Sequence, residues 1–178
     1  MPKAFVSACY DLLHSGHVAF YREAARYGAL HVALDSDGTV YEPKGRPPVN
    51  SEEERLSMVQ AVDCVTSAFV SSRSGILDSE PELRRIRPGF FVVNADGDGP
   101  AKRQLCADLG VQYVVLERTP HPGLAPRSTP DILRATDEYR EHSLSWKLSE
   151  VGAGGYLTLV SAQPIEHAVR VTVRTPLS

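Results

Sequence analysis

The stretch Cys9-Tyr10-Asp11-Leu12-Leu13-His14-Ser15-Gly16-His17 stands between two segments of opposite character. Before it, Ala4 to Ala8 is a short apolar run that reads as a buried first strand. After it, Val18 to Tyr27 mixes Ala, Glu and Arg in a helix-like way. His14 and His17 therefore flank a glycine where a strand turns into a helix. In α/β proteins that junction holds phosphates, because a helix start offers unpaired N–H groups and the positive end of its dipole. Gly16 lets the backbone approach a ligand with no Cβ in the way. Two imidazoles there can donate hydrogen bonds to phosphoryl oxygens without a metal. The competing reading is a pair of surface histidines beside a helix cap.

Outward from this stretch, strand-like and helix-like runs alternate. Leu30 to Leu34, Val65 to Val70, Phe90 to Val93 and Val111 to Leu116 are short apolar runs of the kind found in a parallel sheet covered on both faces. Gly38 to Asn50, with three prolines and two glycines, reads as a loop. Ser51-Glu52-Glu53-Glu54 has capping-box spacing and opens a helix through Arg55, Leu56, Met58, Val59 and Val62. Ser79-Glu80-Pro81-Glu82 opens a short helix that Pro88 stops, and Pro100 to Leu109 is a helix that Gly110 ends. The alternation predicts an α/β fold, a Rossmann-like open parallel five-stranded sheet with helices on both faces. Ligands of such sheets bind beyond the carboxyl ends of the strands, at the topological switch point. Four segments fall there: Cys9 to His17, Lys44 to Arg46, Asn94 to Asp98, and Arg118 to Thr129.

The expected domain spans residues 1–135, and residues 136–178 form a C-terminal extension. Asp137 to Glu150 reads as a polar helix, Gly152 to Gly155 as a break, and Tyr156 to Val160 and Ala168 to Val173 as two strands. Two strands alone are barely stable, so they are expected to pair with the main sheet or with another subunit. A homodimer is the expected assembly.

The bulk numbers narrow the function classes. Charged residues at 23% and hydrophobic ones at 42% are ordinary for a globular protein. A net charge of −3 with no long basic run argues against a nucleic-acid partner. Cys9, Cys64 and Cys106 are scattered, with no Cys-x-x-Cys pair, which points to reduced thiols, a cytoplasmic setting and no protein metal site. No run approaches the ~18 apolar residues of a membrane span, so no membrane association is expected.

Asp-Leu-Leu-His-Ser-Gly-His resembles the His-x-Gly-His signature of the nucleotidyltransferase superfamily. It is most similar to the branch with glycerol-3-phosphate and phosphoethanolamine cytidylyltransferases, with the ADP-heptose synthase and archaeal FAD synthetase branches close by. The resemblance covers about residues 3 to 135. Where the family carries Gly-Thr-Phe-Asp, this chain has Ala8-Cys9-Tyr10-Asp11, adding a Cβ at Ala8 and a thiol at Cys9.

The resemblance implies transfer of a nucleotidyl group from CTP, or alternatively ATP, to a phosphorylated alcohol or sugar, with Mg²⁺ carried by the triphosphate. His14 and His17 are then the catalytic pair, aided by Lys44 and Arg118. Ala8, Cys9, Tyr10, Asp11, Gly16 and Arg55 are expected around the nucleotide. So are Asn94, Asp96 and Asp98 in an acidic loop after the fourth strand. Arg127, Ser128 and Thr129 resemble the family's Arg-Thr-x-Gly-Ile-Ser-Thr-Thr segment in split form, with Arg118-Thr119 as its first part. Arg55 has a plainer reading as a surface partner of Glu52 or Glu54, and Ser128 and Thr129 are also ordinary N-cap residues. A nucleotide-binding regulatory module without turnover is the alternative of another class.

Overall fold

The computed structural model describes residues 1–44, 47–72, 77–118, 120–151, 158–165 and 168–174. Arg46, Thr119, the side chain of Lys44 and the glycine break at 152–155 lie outside the described residues. By contact the chain divides into two compact units, Met1–Thr129 and Pro130–Ser178.

In the first unit, five strands form one all-parallel sheet. They are β1 (Lys3–Ala8), β2 (Ala29–Leu34), β3 (Val65–Val70), β4 (Phe90–Asn94) and β5 (Gln112–Leu116), in the order β3-β2-β1-β4-β5. The helices between them are α1 (Ser15–Ala24), α2 (Asp37–Lys44), α3 (Glu52–Gln60), α4 (Glu80–Ile86) and α5 (Pro100–Leu109). β1 pairs with β2 on one side and β4 on the other. The chain leaves β1 toward β2 and β3 and returns to β4, so the switch point lies between the ends of β1 and β4.

The period of two along the strands separates two cores. Ala4, Val6, Leu30, Val32, Leu34 and Val92 face Phe20, Tyr21 and Ala24 of α1 and Val59 of α3. Phe5, Ala33, Phe91 and Val93 face Leu83 and Ile86 of α4 and Leu105 and Cys106 of α5. Phe5 and Phe91 meet edge to face, with ring centroids 5.4 Å apart. The sheet is thus covered on both faces, as its apolar strands require. Gly110, at φ 67, takes the left-handed turn that ends α5.

Two expectations are corrected. Residues 37–44, within the stretch read as a loop, are helical: the N–H of Thr39 donates to Ser36 Oγ at 3.2 Å, a local cap that outweighs the nearby Gly38 and Pro43. α1 begins at Ser15 and not at Val18, because His14 itself is the N-cap. In the second unit, a single helix α6 (Thr129–Val151) runs through the residue 135/136 boundary. There β6 (Thr158–Ile165) and β7 (Ala168–Arg174) pair antiparallel with each other as a two-stranded sheet, and do not join the parallel one. Among the described residues no helix is long and apolar enough to cross a membrane.

Candidate active site

The site is built at the turn from β1 into α1. Tyr10 makes that turn with φ 51, a left-handed conformation that costs a residue bearing a Cβ about 1–2 kcal/mol. Packing holds it there: Tyr10 is buried, and its ring meets those of His17 and Tyr21 edge to face, each at 5.2 Å. Burial pushes its phenol well above the ordinary range. Tyr10, expected at the nucleotide, is therefore a core residue that supports His17 from behind.

His14 and His17 stack, with ring centroids 3.8 Å apart and 21° between planes. Nδ1 of His14 accepts the N–H of Gly16 at 3.1 Å, so a neutral His14 is assigned its proton on Nε2. Burial, then the neighbouring His14 and the Arg118 guanidinium, hold the imidazolium of His17 down to a pKa of about 3, against the opposing pull of Asp96. The Leu12 carbonyl also favours its protonated form, though no group meets hydrogen-bond geometry at the buried Nδ1. At neutral pH His17 is thus an uncharged donor, held ready for an oxyanion without a counter-charge of its own.

Gly16 joins this pair to the loop after β5. A Cβ at Gly16 would stand 3.0 Å from Cε1 of His14 and 3.1 Å from the carbonyl oxygen of Arg127. The backbone of Arg127 therefore lies directly on the first turn of α1, and only glycine leaves it room. Arg127 is exposed, and Ser128 and Thr129 are partly buried where α6 begins. The same loop is tied to α1 a second time, where His121 Nε2 meets Arg22 at 3.3 Å. The split phosphate segment and the histidine motif are thus brought together.

Across the switch point, Arg118 after β5 donates to Asp96 after β4 at 2.8 Å. Both side chains are about 60% exposed, at 60% and 59%, so the guanidinium is open to a ligand. Asn94 ends β4 beside them, partly buried. Asp98 departs from this group. It takes both Nε and Nη2 of Arg103 at 2.9 and 2.6 Å, and that hydrogen bonding holds its carboxyl below the usual range. Its partner in this structure is Arg103 of α5.

Arg55 and Asp11 are corrected as well. Arg55 is fully buried and donates to the carbonyls of Cys9, Asp35 (2.9 Å) and Asn50 (3.2 Å) and to Asp37 Oδ1 (2.7 Å). Its burial rules out the plainer reading as a surface partner of Glu52 or Glu54. Arg55 bolts the ends of β1 and β2 to the segment after α2. Asp11, also buried, accepts the N–H of Val49 at 2.6 Å, and its carbonyl accepts from Asn50 Nδ2 at 3.0 Å. Both hold residues 49–50 against the histidine motif. Ala8 is exposed at the end of β1, and Cys9 is partly buried beside it.

The sequence reading passed over one group at the same edge. Ser71 follows β3, and Asp78 and Glu82 stand before and within α4, all three buried. The signal available for them was positional: Ser71 and Asp35 follow two adjacent parallel strands.

Among the described residues no three His, Cys, Asp or Glu side chains are grouped to hold a metal.

A family profile described as cytidylyltransferase-like matches residues 5–131. The chain is 33% identical over 97 residues to the bifunctional protein HldE of Campylobacter fetus, covering 53% of this chain and 20% of that protein. It is 31% identical over 97 residues to the FAD synthase of Pyrococcus horikoshii, covering 54% of this chain and 64% of that one. The chain thus spans about a fifth of the first relative and less than two thirds of the second. Among solved structures, a lipopolysaccharide core biosynthesis protein from Thermoplasma volcanium superposes with a TM-score of 0.56 at 20% identity, over 67% of this chain and 98% of that one. Pantoate-β-alanine ligase from Francisella tularensis gives 0.50 at 16%, over 98% and 86%. These two likenesses are of fold alone. With the profile spanning residues 5–131, all but the first two residues of the parallel sheet and the His14–His17 turn, the chain belongs to the cytidylyltransferase-like family of nucleotidyltransferases.

Proposed function

We propose that this chain transfers the nucleotidyl group of CTP to a phosphorylated alcohol or sugar and releases pyrophosphate. The observation that carries the reading is the stacked imidazole pair at the first turn of α1, with the backbone of Arg127 laid against it. A phosphate oxygen of the acceptor attacks the α-phosphorus in line. The new P–O bond forms as the bond to the bridging oxygen of pyrophosphate breaks, and the electron pair leaves with pyrophosphate. The attacking oxygen is already anionic, so no general base is needed. His14 and His17 donate to the α-phosphate oxygens as charge gathers there. Arg118, Lys44, Ser128 and Thr129 hold the departing pyrophosphate, and the turn from β1 at Ala8 to Tyr10 offers backbone to the nucleotide. Mg²⁺ on the triphosphate would neutralise the leaving group when bound.

A second reading, ATP in place of CTP, is favoured by the FAD synthase relatives, whose name is that of an adenine dinucleotide. Pyrophosphate release is to be measured with CTP and ATP against a panel of phosphorylated acceptors. Release with CTP is expected; release with ATP alone selects the second reading. Nucleotide binding with no release across the panel would make the chain a regulatory module.

A further inference from the structure

Arg127 reaches the first turn of α1 at the end of a loop whose other anchor is a single imidazole. His121 Nε2 lies 3.3 Å from Arg22 Nη1, and its Nδ1 lies 3.0 Å from the carbonyl oxygen of Pro122. A guanidinium only donates, so Nε2 has to bear the lone pair. The proton then sits on Nδ1 and is donated to the Pro122 carbonyl. One species meets both contacts, the neutral Nδ1–H tautomer. Arg22 is itself held from the other side. Its Nη2 stands 3.7 Å from Asp63 after α3, so the guanidinium points one arm at the scaffold and the other at the loop.

This anchor lies away from the reacting atoms, yet it acts on the loop that serves them. Gly16 and Arg22 lie about 9 Å apart along the axis of α1, at about 1.5 Å per residue. The loop therefore meets α1 at two points, at Arg22 through His121 and at Gly16 through the carbonyl of Arg127. Between these anchors residues 122–127 are all exposed, so no buried side chain fixes the loop there. Ser128 and Thr129, assigned above to pyrophosphate, follow directly.

We propose that His121 is a positioning residue: in its neutral form it latches the phosphate-holding loop to Arg22, and protonation opens the latch. The inference rests on the nucleotidyl-transfer reading and adds to it a pH-dependent control of nucleotide affinity. A proton on Nε2 removes the acceptor and sets two cations against each other across 3.3 Å. The charged groups facing the ring are Arg22 from α1 and, behind it, the Asp63 carboxylate. Asp63 is 75% exposed, and it softens the repulsion without restoring the lost bond. Histidine changes its charge between about pH 5 and 8, so the latch is closed at the alkaline end of that range and open at the acid end.

The test uses the full chain with His121→Gln and His121→Ala. The glutamine carbonyl reaches about where Nε2 stands and takes up no proton; alanine offers no acceptor. Trypsin cleavage after Arg127, followed by mass spectrometry at about pH 8, reads the latch without any nucleotide. His121→Ala should be cut at least about fivefold faster than the parent, and His121→Gln at the parental rate. Calorimetry with non-hydrolysable analogues of CTP and ATP reads the consequence. At about pH 8 His121→Ala should bind about fivefold more weakly, and His121→Gln like the parent. At about pH 5.5 the parent should fall to the level of His121→Ala, whereas His121→Gln should keep its advantage. Every other titrating group is common to the three chains, so that divergence belongs to residue 121. Equal cleavage in all three, His121→Gln behaving like His121→Ala, or parallel pH dependence of the parent and His121→Gln overturns the latch. Faster cleavage with unchanged affinity overturns the positioning role. A parent that binds neither analogue strikes the proposed function instead, and the cleavage rates then decide the latch by themselves.

Discussion

Arg55 and Arg118 stand on opposite sides of the switch point and in opposite surroundings. Arg55, on the β1–β2 side, has no exposed surface and spends four donor contacts on three carbonyls and one carboxylate of the scaffold. Arg118, on the β4–β5 side, is 60% exposed and touches one equally exposed carboxylate. The first cation ties the strand ends together and spends four of its five donors on the scaffold. The second contributes little to the fold and can turn toward an incoming phosphate. The difference teaches that a positive charge at a nucleotide site has to be sorted by what already satisfies it, and not by its distance along the chain from the motif.

Substitution breaks or sharpens this comparison, the largest effect coming from the buried cation. Arg55→Ala should lower stability by about 3–5 kcal/mol, since it removes the buried donor to three carbonyls and to the Asp37 carboxylate. Denaturant unfolding measures it. A variant as stable as the parent would dissolve the distinction between the two sides.

His17→Ala should leave the fold intact and lower turnover by about 10²–10³-fold, the scale of one lost transition-state donor. A pH series adds a second check. The folded chain holds His17 at a pKa of about 3, against an ordinary 6.5. The unfolded chain therefore takes up a proton that the folded one refuses. The stability tied to this neutral ring is fully present above pH 6.5 and is lost as pH falls toward 3. Unfolding of the parent should steepen through that window relative to His17→Asn. Parallel curves would place His17 in water.

The smallest effect on stability should come from Arg118→Ala. An exposed ion pair is worth about 0.5 kcal/mol, so the midpoint of unfolding should barely move. The Michaelis constant for the nucleotide should rise about tenfold, the worth of one charge-assisted hydrogen bond. A large loss of stability with unchanged kinetics would exchange the roles of the two arginines.

The sheet was legible because its information is local. Each strand is a short apolar run, and each connection carries its own stop, such as Pro88 or Gly110. The histidine pair was legible because a glycine and a strand-to-helix change frame it. Arg55 was not, because its burial is made by carbonyls that arrive from Cys9 and Asp35, far away in the chain. From its neighbours alone it is an arginine after three glutamates on a helix. The burial of the Tyr10 and Asp11 side chains was hidden for the same reason: the motif names the residues, but only packing tells which of them face inward. α2 was hidden by Gly38 and Pro43, whose local preference a single serine cap outweighs. Ser71, Asp78 and Glu82 were read only as a strand end and a helix start.

The clamp at Arg55 also bears on when the site comes into being during synthesis. β1 and the histidine turn are synthesised before α3, and the Arg55 guanidinium reaches the carbonyls of Cys9 and Asp35 only once α3 has emerged and docked. At translation rates of about 5–20 residues per second, that interval lasts seconds. Through those seconds the turn from β1 to the histidines is an open strand end in water. A nascent chain arrested before residue 55 should therefore carry both histidines and lack the pocket, however long it waits.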